Sequence, residues 1–249
     1  MLELKNISKT YNPGTVTEMC LFKDFELAVK DGEFVSVVGS NGSGKTSLAV
    51  ALSLKKRAAG RRVAVADLDI VNPYFRTVDC KSALDRAGVA LVASAYAGSN
   101  VDLPALPKEL YAVIEDADTD VVLDVGGDDR GAVALSRFVP SIQISGYEQL
   151  FTVNFYRPLT RTAEEALAVL REIEAACGLQ ATAIVNNSNL GSDTTAQDVL
   201  ASLALCERLS ELSGLPVRYT AVDNRLAAAL AASVPALLPI EPQSMPIAR

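Results

Sequence analysis

Eight consecutive residues, Gly39-Ser40-Asn41-Gly42-Ser43-Gly44-Lys45-Thr46, have the G-x-x-x-x-G-K-[ST] spacing of a phosphate-binding loop. The chemistry follows from the residue types. Small residues let backbone N–H groups turn toward phosphate oxygens, and a helix N-terminus behind them favours negative charge. Lys45 would reach the outer phosphates, the Thr46 hydroxyl would complete a magnesium shell, and Ser47 is a further candidate contact to the nucleotide. The pattern predicts nucleotide binding, provided that a strand precedes it and a helix follows.

Both flanks fit that requirement. Phe34-Val35-Ser36-Val37-Val38 is an apolar run that reads as a buried strand. Leu48, Ala49, Leu52 and Leu54 begin a helical pattern, with Gly60 as its stop.

In an open α/β sheet, ligands gather at the carboxyl ends of the strands, so the other strand ends are the places to search. Asp124 closes the apolar run Val121-Val122-Leu123 and leads into Val125-Gly126-Gly127. A carboxylate there suits magnesium, directly or through water, and the Gly127 N–H could sense a γ-phosphate. Asp67 and Asp69 end the strand that begins at Arg62. Asp67 is a candidate metal ligand, and either acid could orient an attacking water; spacing leaves that division open. Arg76 and Arg130 are the nearest cations in sequence for stabilising phosphoryl charge. Asn186 and Asn187 follow the strand 181–185, where an amide could read a base edge, and Tyr11 could stack on the ring. No N-K-x-D or T-K-x-D guanine reader occurs, which favours adenine.

Composition narrows the alternatives. The 249 residues are 49% hydrophobic, enough for a substantial core, and the net charge of −7 argues against nonspecific nucleic-acid binding. The basic cluster Lys55-Lys56-Arg57 with Arg61-Arg62 reads as a solvated helix end complementing the dipole. There is no histidine, which removes the usual zinc sets and every Ser-His or Cys-His pair. Cys20, Cys80, Cys177 and Cys206 are dispersed, as core thiols are in a reducing compartment. No apolar leader opens the chain, and the greasiest stretch, 226–240, is short and contains Pro235 and Pro239. A soluble, cytoplasmic protein is expected.

The positioning elements follow in order. Alternating residues at 2–7 and 21–29, separated by the turn Tyr11-Asn12-Pro13-Gly14, predict antiparallel β-structure. From residue 46 onward helices and strands alternate: strands near 62–66, 89–92, 120–124, 149–153, 181–185 and 217–222, with helices between several of them. Thr162-Ala163-Glu164-Glu165 is a capping box opening a helix that stops at Cys177-Gly178. The tail reads as a short helix and a strap. The expected fold is α/β: a three-layer P-loop NTPase with a mostly parallel central sheet plus an N-terminal antiparallel β extension. Residues 1–33 would form the extension and 34–249 the nucleotide-binding unit.

Two resemblances meet at the loop. Residues 1–47, from Met1-Leu2-Glu3-Leu4-Lys5-Asn6-Ile7-Ser8-Lys9-Thr10-Tyr11 through the loop, resemble the start of an ABC transporter ATPase. That resemblance implies adenine stacking on Tyr11. The later motifs of that family are missing: there is no L-S-G-G-Q signature, no switch histidine, and Val125 rather than Glu follows Asp124. Residues 42–240 instead resemble a ParA/MinD-type P-loop ATPase of the SIMIBI class. The carrying motifs are Asp67-Leu68-Asp69-Ile70-Val71-Asn72-Pro73-Tyr74-Phe75-Arg76-Thr77, Asp124-Val125-Gly126-Gly127-Asp128-Asp129, Arg157-Pro158-Leu159-Thr160 and Val185-Asn186-Asn187-Ser188-Asn189-Leu190-Gly191. This resemblance implies Walker A′ acids at Asp67 and Asp69, Walker B at Asp124 and an adenine-reading amide at Asn186 or Asn187. ParA and MinD carry an extra lysine where this chain has Ser40.

The simplest account is a chimera, natural or engineered, joined within or just after the shared loop. The expected activity is magnesium-dependent ATP binding with slow hydrolysis, with ATP and ADP as ligands. The alternatives are a nucleotide-gated partner-binding switch and a recombined chain with no evolved function. A homodimer is compatible with the second resemblance, and no ABC-type membrane partner is expected.

Overall fold

The structure is a computed structural model that describes residues 2–11, 19–29, 34–68, 77–93, 108–126, 135–136 and 138–241, the first two segments by their backbone alone. Strands β1 (Leu2–Tyr11) and β2 (Met19–Val29) pair antiparallel in a two-stranded sheet of their own, with Leu2 opposite Val29 and Tyr11 opposite Met19. The remaining strands are β3 (Phe34–Val38), β4 (Arg62–Leu68), β5 (Ala90–Ala93), β6 (Thr119–Val125), β7 (Tyr147–Val153), β8 (Ala183–Asn186), β9 (Val217–Asp223) and β10 (Leu237–Ile240). They form one sheet in the order β10-β9-β8-β7-β3-β6-β4-β5, and every pairing in it is parallel.

Every residue of β3 and β6 is buried, as expected where both faces of a parallel sheet are covered. Strand alternation divides the core between the faces. Phe34, Val38, Val121 and Leu123 pack with Leu110 of α3 (Lys108–Glu115), Ile142 of α4 (Val139–Ser145), Leu170 of α5 (Ala163–Cys177) and Leu209 of α6 (Ala196–Ser213). Val35, Val37 and Val122 pack with Leu48 and Leu52 of α1 (Lys45–Ala58) and Leu84 of α2 (Lys81–Ala87). The three-layer parallel architecture expected from the sequence is therefore present. Helix α7 (Asn224–Leu230) links β9 to β10 and is capped by the Asp223 side chain, which accepts from the Arg225 N–H.

The predicted capping box forms: Thr162 Oγ1 accepts from Glu165 N at 3.1 Å, Glu165 Oε2 accepts from Thr162 N at 3.2 Å, and Gly178 ends the helix in the left-handed region. Three local readings differ from the structure. Residues 139–145 form a helix that the pattern did not announce, with Pro140 in its first turn, where no N–H is needed. The strap of the tail is β10, which accommodates Pro239 because it lies at the sheet edge. The basic cluster is no solvated helix end. Lys56 is only 6% exposed and pairs with the fully buried Asp120 at 3.3 Å, while Arg61 holds the other oxygen of Asp120 at 2.8 Å. The reason is geometric: the last turn of α1 lies against the first residues of β6, so its cations meet a buried acid before they meet water.

Candidate functional site

The glycine-rich loop runs from the end of β3 to the first turn of α1, and its neighbours dictate its glycines. A Cβ on Gly39 would stand 2.2 Å from the Thr152 carbonyl oxygen near the end of β7. Gly44, the N-cap of α1, has φ of 87°, and a Cβ there would meet Asn187 Nδ2 at 2.0 Å. That amide donates to the Ser43 carbonyl oxygen at 2.7 Å. From the loop after β7, Arg157 Nε donates to the Gly42 carbonyl oxygen at 3.1 Å. Within the loop, Ser43 N and Lys45 Nζ both donate to the Ser40 carbonyl oxygen at 3.1 Å. Asn41 and Gly42 form an exposed tip, Gly44 and Ser47 are half-buried, and Ser40, Ser43, Lys45 and Thr46 are buried beneath it.

Two acids stand beside the loop because of strand register. β6 neighbours β3 with Asp124 opposite Val37, and β4 neighbours β6 with Asp67 opposite Asp124. Both acids are buried, Asp124 completely. Asp124 Oδ2 accepts from Thr46 Oγ1 at 2.7 Å and from Thr77 Oγ1 at 2.8 Å. Asp124 Oδ1 is buried and has no hydrogen-bond partner among the described residues. Burial pushes the Asp124 carboxyl up to about 6; the Thr46 hydrogen bond opposes this, the charge of Asp67 adds to it, and Lys45 and Thr77 oppose it.

Unsatisfied buried polar atoms are rare in folded proteins and tend to mark sites with a role. Among the described residues Ser40 Oγ, Ser43 Oγ, Thr152 Oγ1 and Asn187 Oδ1 share that state with Asp124 Oδ1, and the residues that carry them lie in the loop or beside it.

Asn187 is therefore at the loop. Asn186 is turned away from it: fully buried, it donates to Ser202 Oγ on α6 at 2.8 Å and accepts from Ser188 Oγ at 2.7 Å. The loops after β7 and β8 are tied together by Asn154, whose Nδ2 donates to the Asn189 carbonyl at 3.0 Å and whose Oδ1 accepts from Tyr156 N at 3.0 Å and Asn189 N at 3.3 Å. Thus Lys45, Thr46, Asp67, Asp124 and Asn187 converge. Asp69, Arg76, Gly127 and Arg130 lie outside the described residues, as does the side chain of Tyr11. Thr77, Arg157 and Asn154 were not singled out as site residues from sequence. Thr77 and Arg157 do fall within the distinctive runs 67–77 and 157–160, which was the available signal.

A parallel sheet, a glycine-rich loop joining a central strand to a helix, and an acid on the adjacent strand define a P-loop NTPase-like domain. No protein-family model matches the chain. The chain is 32% identical over 113 residues to the pyoverdine export ATP-binding/permease protein PvdT of Pseudomonas fluorescens, covering 43% of this chain and 17% of that protein. It is 34% identical over 124 residues to the macrolide export ATP-binding/permease protein MacB of Salmonella typhimurium, covering 46% and 18%. It is 39% identical over 62 residues to a tyrosine transport ATP-binding protein of Clostridioides difficile, covering 24% and 25%. The chain thus spans a quarter or less of the length of these curated relatives. Among solved structures it is similar to chloroplast FtsY from Physcomitrella patens, with TM-score 0.53 and 18% identity over 77% of this chain and 59% of that one. It is similar also to the signal recognition particle receptor FtsY from Elizabethkingia anophelis in complex with GDP, with TM-score 0.50 and 20% identity over 80% and 60%. The first set is ABC-type and the second SIMIBI-class, in line with the chimera-like mixture expected from the motifs. Among the described residues no helix is long and apolar enough to cross a membrane.

Proposed function

We propose that residues 34–249 form a nucleotide-binding unit that takes ATP with magnesium and hydrolyses it slowly, with residues 1–33 as an appended β extension. The observation that carries the reading is the Asp124 carboxylate: fully buried, bonded to Thr46 through one oxygen and unpartnered at the other. An ionised carboxylate in such a place is costly unless a cation compensates it. Magnesium is usually held by one or two carboxylates together with substrate phosphates, and Thr46, Asp124 and Asp67 supply a donor set of that kind. Held there by Thr46, Asp124 and Asp67, the ion would supply positive charge against the negative charge that develops on the transferred group.

The chain's own residues have separate tasks. Backbone N–H groups of the loop bind phosphate oxygens, aided by the start of α1. Lys45 exchanges its bond to the Ser40 carbonyl for a phosphate oxygen, a stronger charge-assisted contact. Of the acids Asp67 and Asp69, one joins the metal shell and the other accepts a hydrogen bond from the attacking water and orients it; Asp67 stands opposite Asp124. Asn187 holds the loop in shape through its hydrogen bond to the Ser43 carbonyl oxygen. Adenine is preferred because the chain has no N-K-x-D or T-K-x-D reader; the GDP named with the Elizabethkingia FtsY makes guanine the comparison to run.

Phosphate release from ATP and GTP tests the reading on wild type, Lys45→Ala and Asp67→Asn. Each substitution is expected to lower the ATP rate at least about tenfold. Equal rates in all three chains would remove the enzyme claim, and faster GTP turnover would remove the adenine preference. A second reading is favoured by the Thr77–Asp124 bond, which connects the acid to the end of the segment 67–77. A nucleotide-gated switch would use that connection to bind a partner, giving tight ATP binding with negligible turnover.

A further inference from the structure

The hydrogen bonding of Asp124 is lopsided. Oδ2 receives two hydroxyl protons, from Thr46 at 2.7 Å and from Thr77 at 2.8 Å, while Oδ1 receives none from the described residues. Thr46 has a task in the phosphate loop. Thr77 has none from motif spacing, yet it is fully buried. We propose that Thr77 is a positioning residue for the magnesium–nucleotide site: its hydroxyl fixes the rotation of the Asp124 carboxylate and so keeps Oδ1 available to the cation. This inference rests on the magnesium–nucleotide reading above and adds a residue to it.

The physical case has three parts. The terminal torsion of an aspartate is broad and soft, so one donor on one oxygen leaves the carboxylate free to swing. Two donors from different elements, α1 and the 3-10 turn Thr77–Cys80, restrict it to one orientation. A threonine suits the second donor because its β-branch restricts χ1, holding the hydroxyl in place. Finally, a hydroxyl at a fully buried position is unfavourable unless bonded, and Asp124 supplies its acceptor. Packing alone would be served as well by valine, which has the same shape.

Binding of a fluorescent ATP analogue to the full chain, titrated with Mg²⁺, tests this with Thr77→Val, Thr77→Ala and Thr77→Ser. Loss of the hydroxyl should raise the half-saturating Mg²⁺ concentration about tenfold in both Thr77→Val and Thr77→Ala, as expected for a hydrogen bond to a charged group. Thr77→Ser, which keeps the hydroxyl, should stay within about twofold of wild type. A wild-type Mg²⁺ curve for Thr77→Val would overturn the inference. So would a shift in Thr77→Ala alone, which would mark a packing role. An equal loss of affinity with Mg²⁺ and with EDTA would overturn it too, because Thr77 would then support the loop in general. If wild type binds no magnesium nucleotide, both this inference and the reading beneath it fail; if it binds and Thr77→Val binds alike, only this inference does.

Discussion

Asn187 donates its side-chain amide to the Ser43 carbonyl oxygen at 2.7 Å, through space that a Cβ on Gly44 would occupy. The phosphate loop is thereby shaped by a residue 144 positions further along the chain. Its conformation depends on the loop after β8 as much as on its own glycines.

The pair should behave as a coupled unit. Asn187→Ala removes one hydrogen bond, about 1 kcal/mol, and should weaken nucleotide binding about fivefold. Gly44→Ala adds a clash and strains a residue at φ 87°, so it should cost more, about 2–4 kcal/mol of folding stability. The double variant G44A/N187A should recover part of that loss, because the clash disappears while the strained φ remains. Thermal melts in a double-mutant cycle read the coupling; strict additivity would show that the two residues do not meet as described.

Asp124 gives a pH dependence with a definite sign. Its folded-state carboxyl sits at about 6, above the ordinary value of 3.8, chiefly through burial. The neutral form is therefore favoured by folding, a contribution complete below about pH 4 and lost as pH rises through about 6. Ligand-free protein should lose on the order of 3 kcal/mol from this group across that window. Asp124→Asn should lack this loss, so its melting temperature relative to wild type should climb between pH 4 and pH 7. Magnesium and nucleotide should reverse the order above pH 7, stabilising wild type and not Asp124→Asn. Parallel pH profiles for the two proteins would contradict the assignment.

The opposite end of β6 should affect stability without affecting the site. Lys56→Met leaves Asp120 buried with only part of its compensating charge, and should cost about 3 kcal/mol in urea denaturation. Nucleotide affinity should remain within about twofold of wild type, since Asp120 and Asp124 stand at opposite ends of one strand, about 13 Å apart. A large loss of affinity with little loss of stability would contradict that separation.

Much of this was legible in the sequence because it is local. Gly39 to Thr46 is one contiguous motif, the capping box at Thr162 and Glu165 spans four residues, and the apolar runs of β3 and β6 mark buried parallel strands. Asp124 and Asp67 could be found as strand ends without knowing that their strands are neighbours. What stayed hidden depends on neighbours distant in sequence. Lys56 looked solvated because nothing nearby in the chain names Asp120, 64 residues away. Asn186 and Asn187 were indistinguishable until successive positions at the end of β8 placed one amide in the core and the other on the loop. Thr77 and Arg157 lay inside unusual runs, but no spacing rule linked a hydroxyl at 77 to an acid at 124. β10 was obscured by Pro239, which only an edge position explains.

The central claim is that the loop and its buried acid bind a magnesium nucleotide, and calorimetric titration of ATP in the presence of Mg²⁺ tests it most directly. Wild type should bind one ATP per chain, and Lys45→Ala and Thr46→Ala should each weaken binding by about 10- to 100-fold, the range for lost charge-assisted contacts. No binding of ATP or GTP by wild type, or undiminished affinity in Lys45→Ala, would contradict the account.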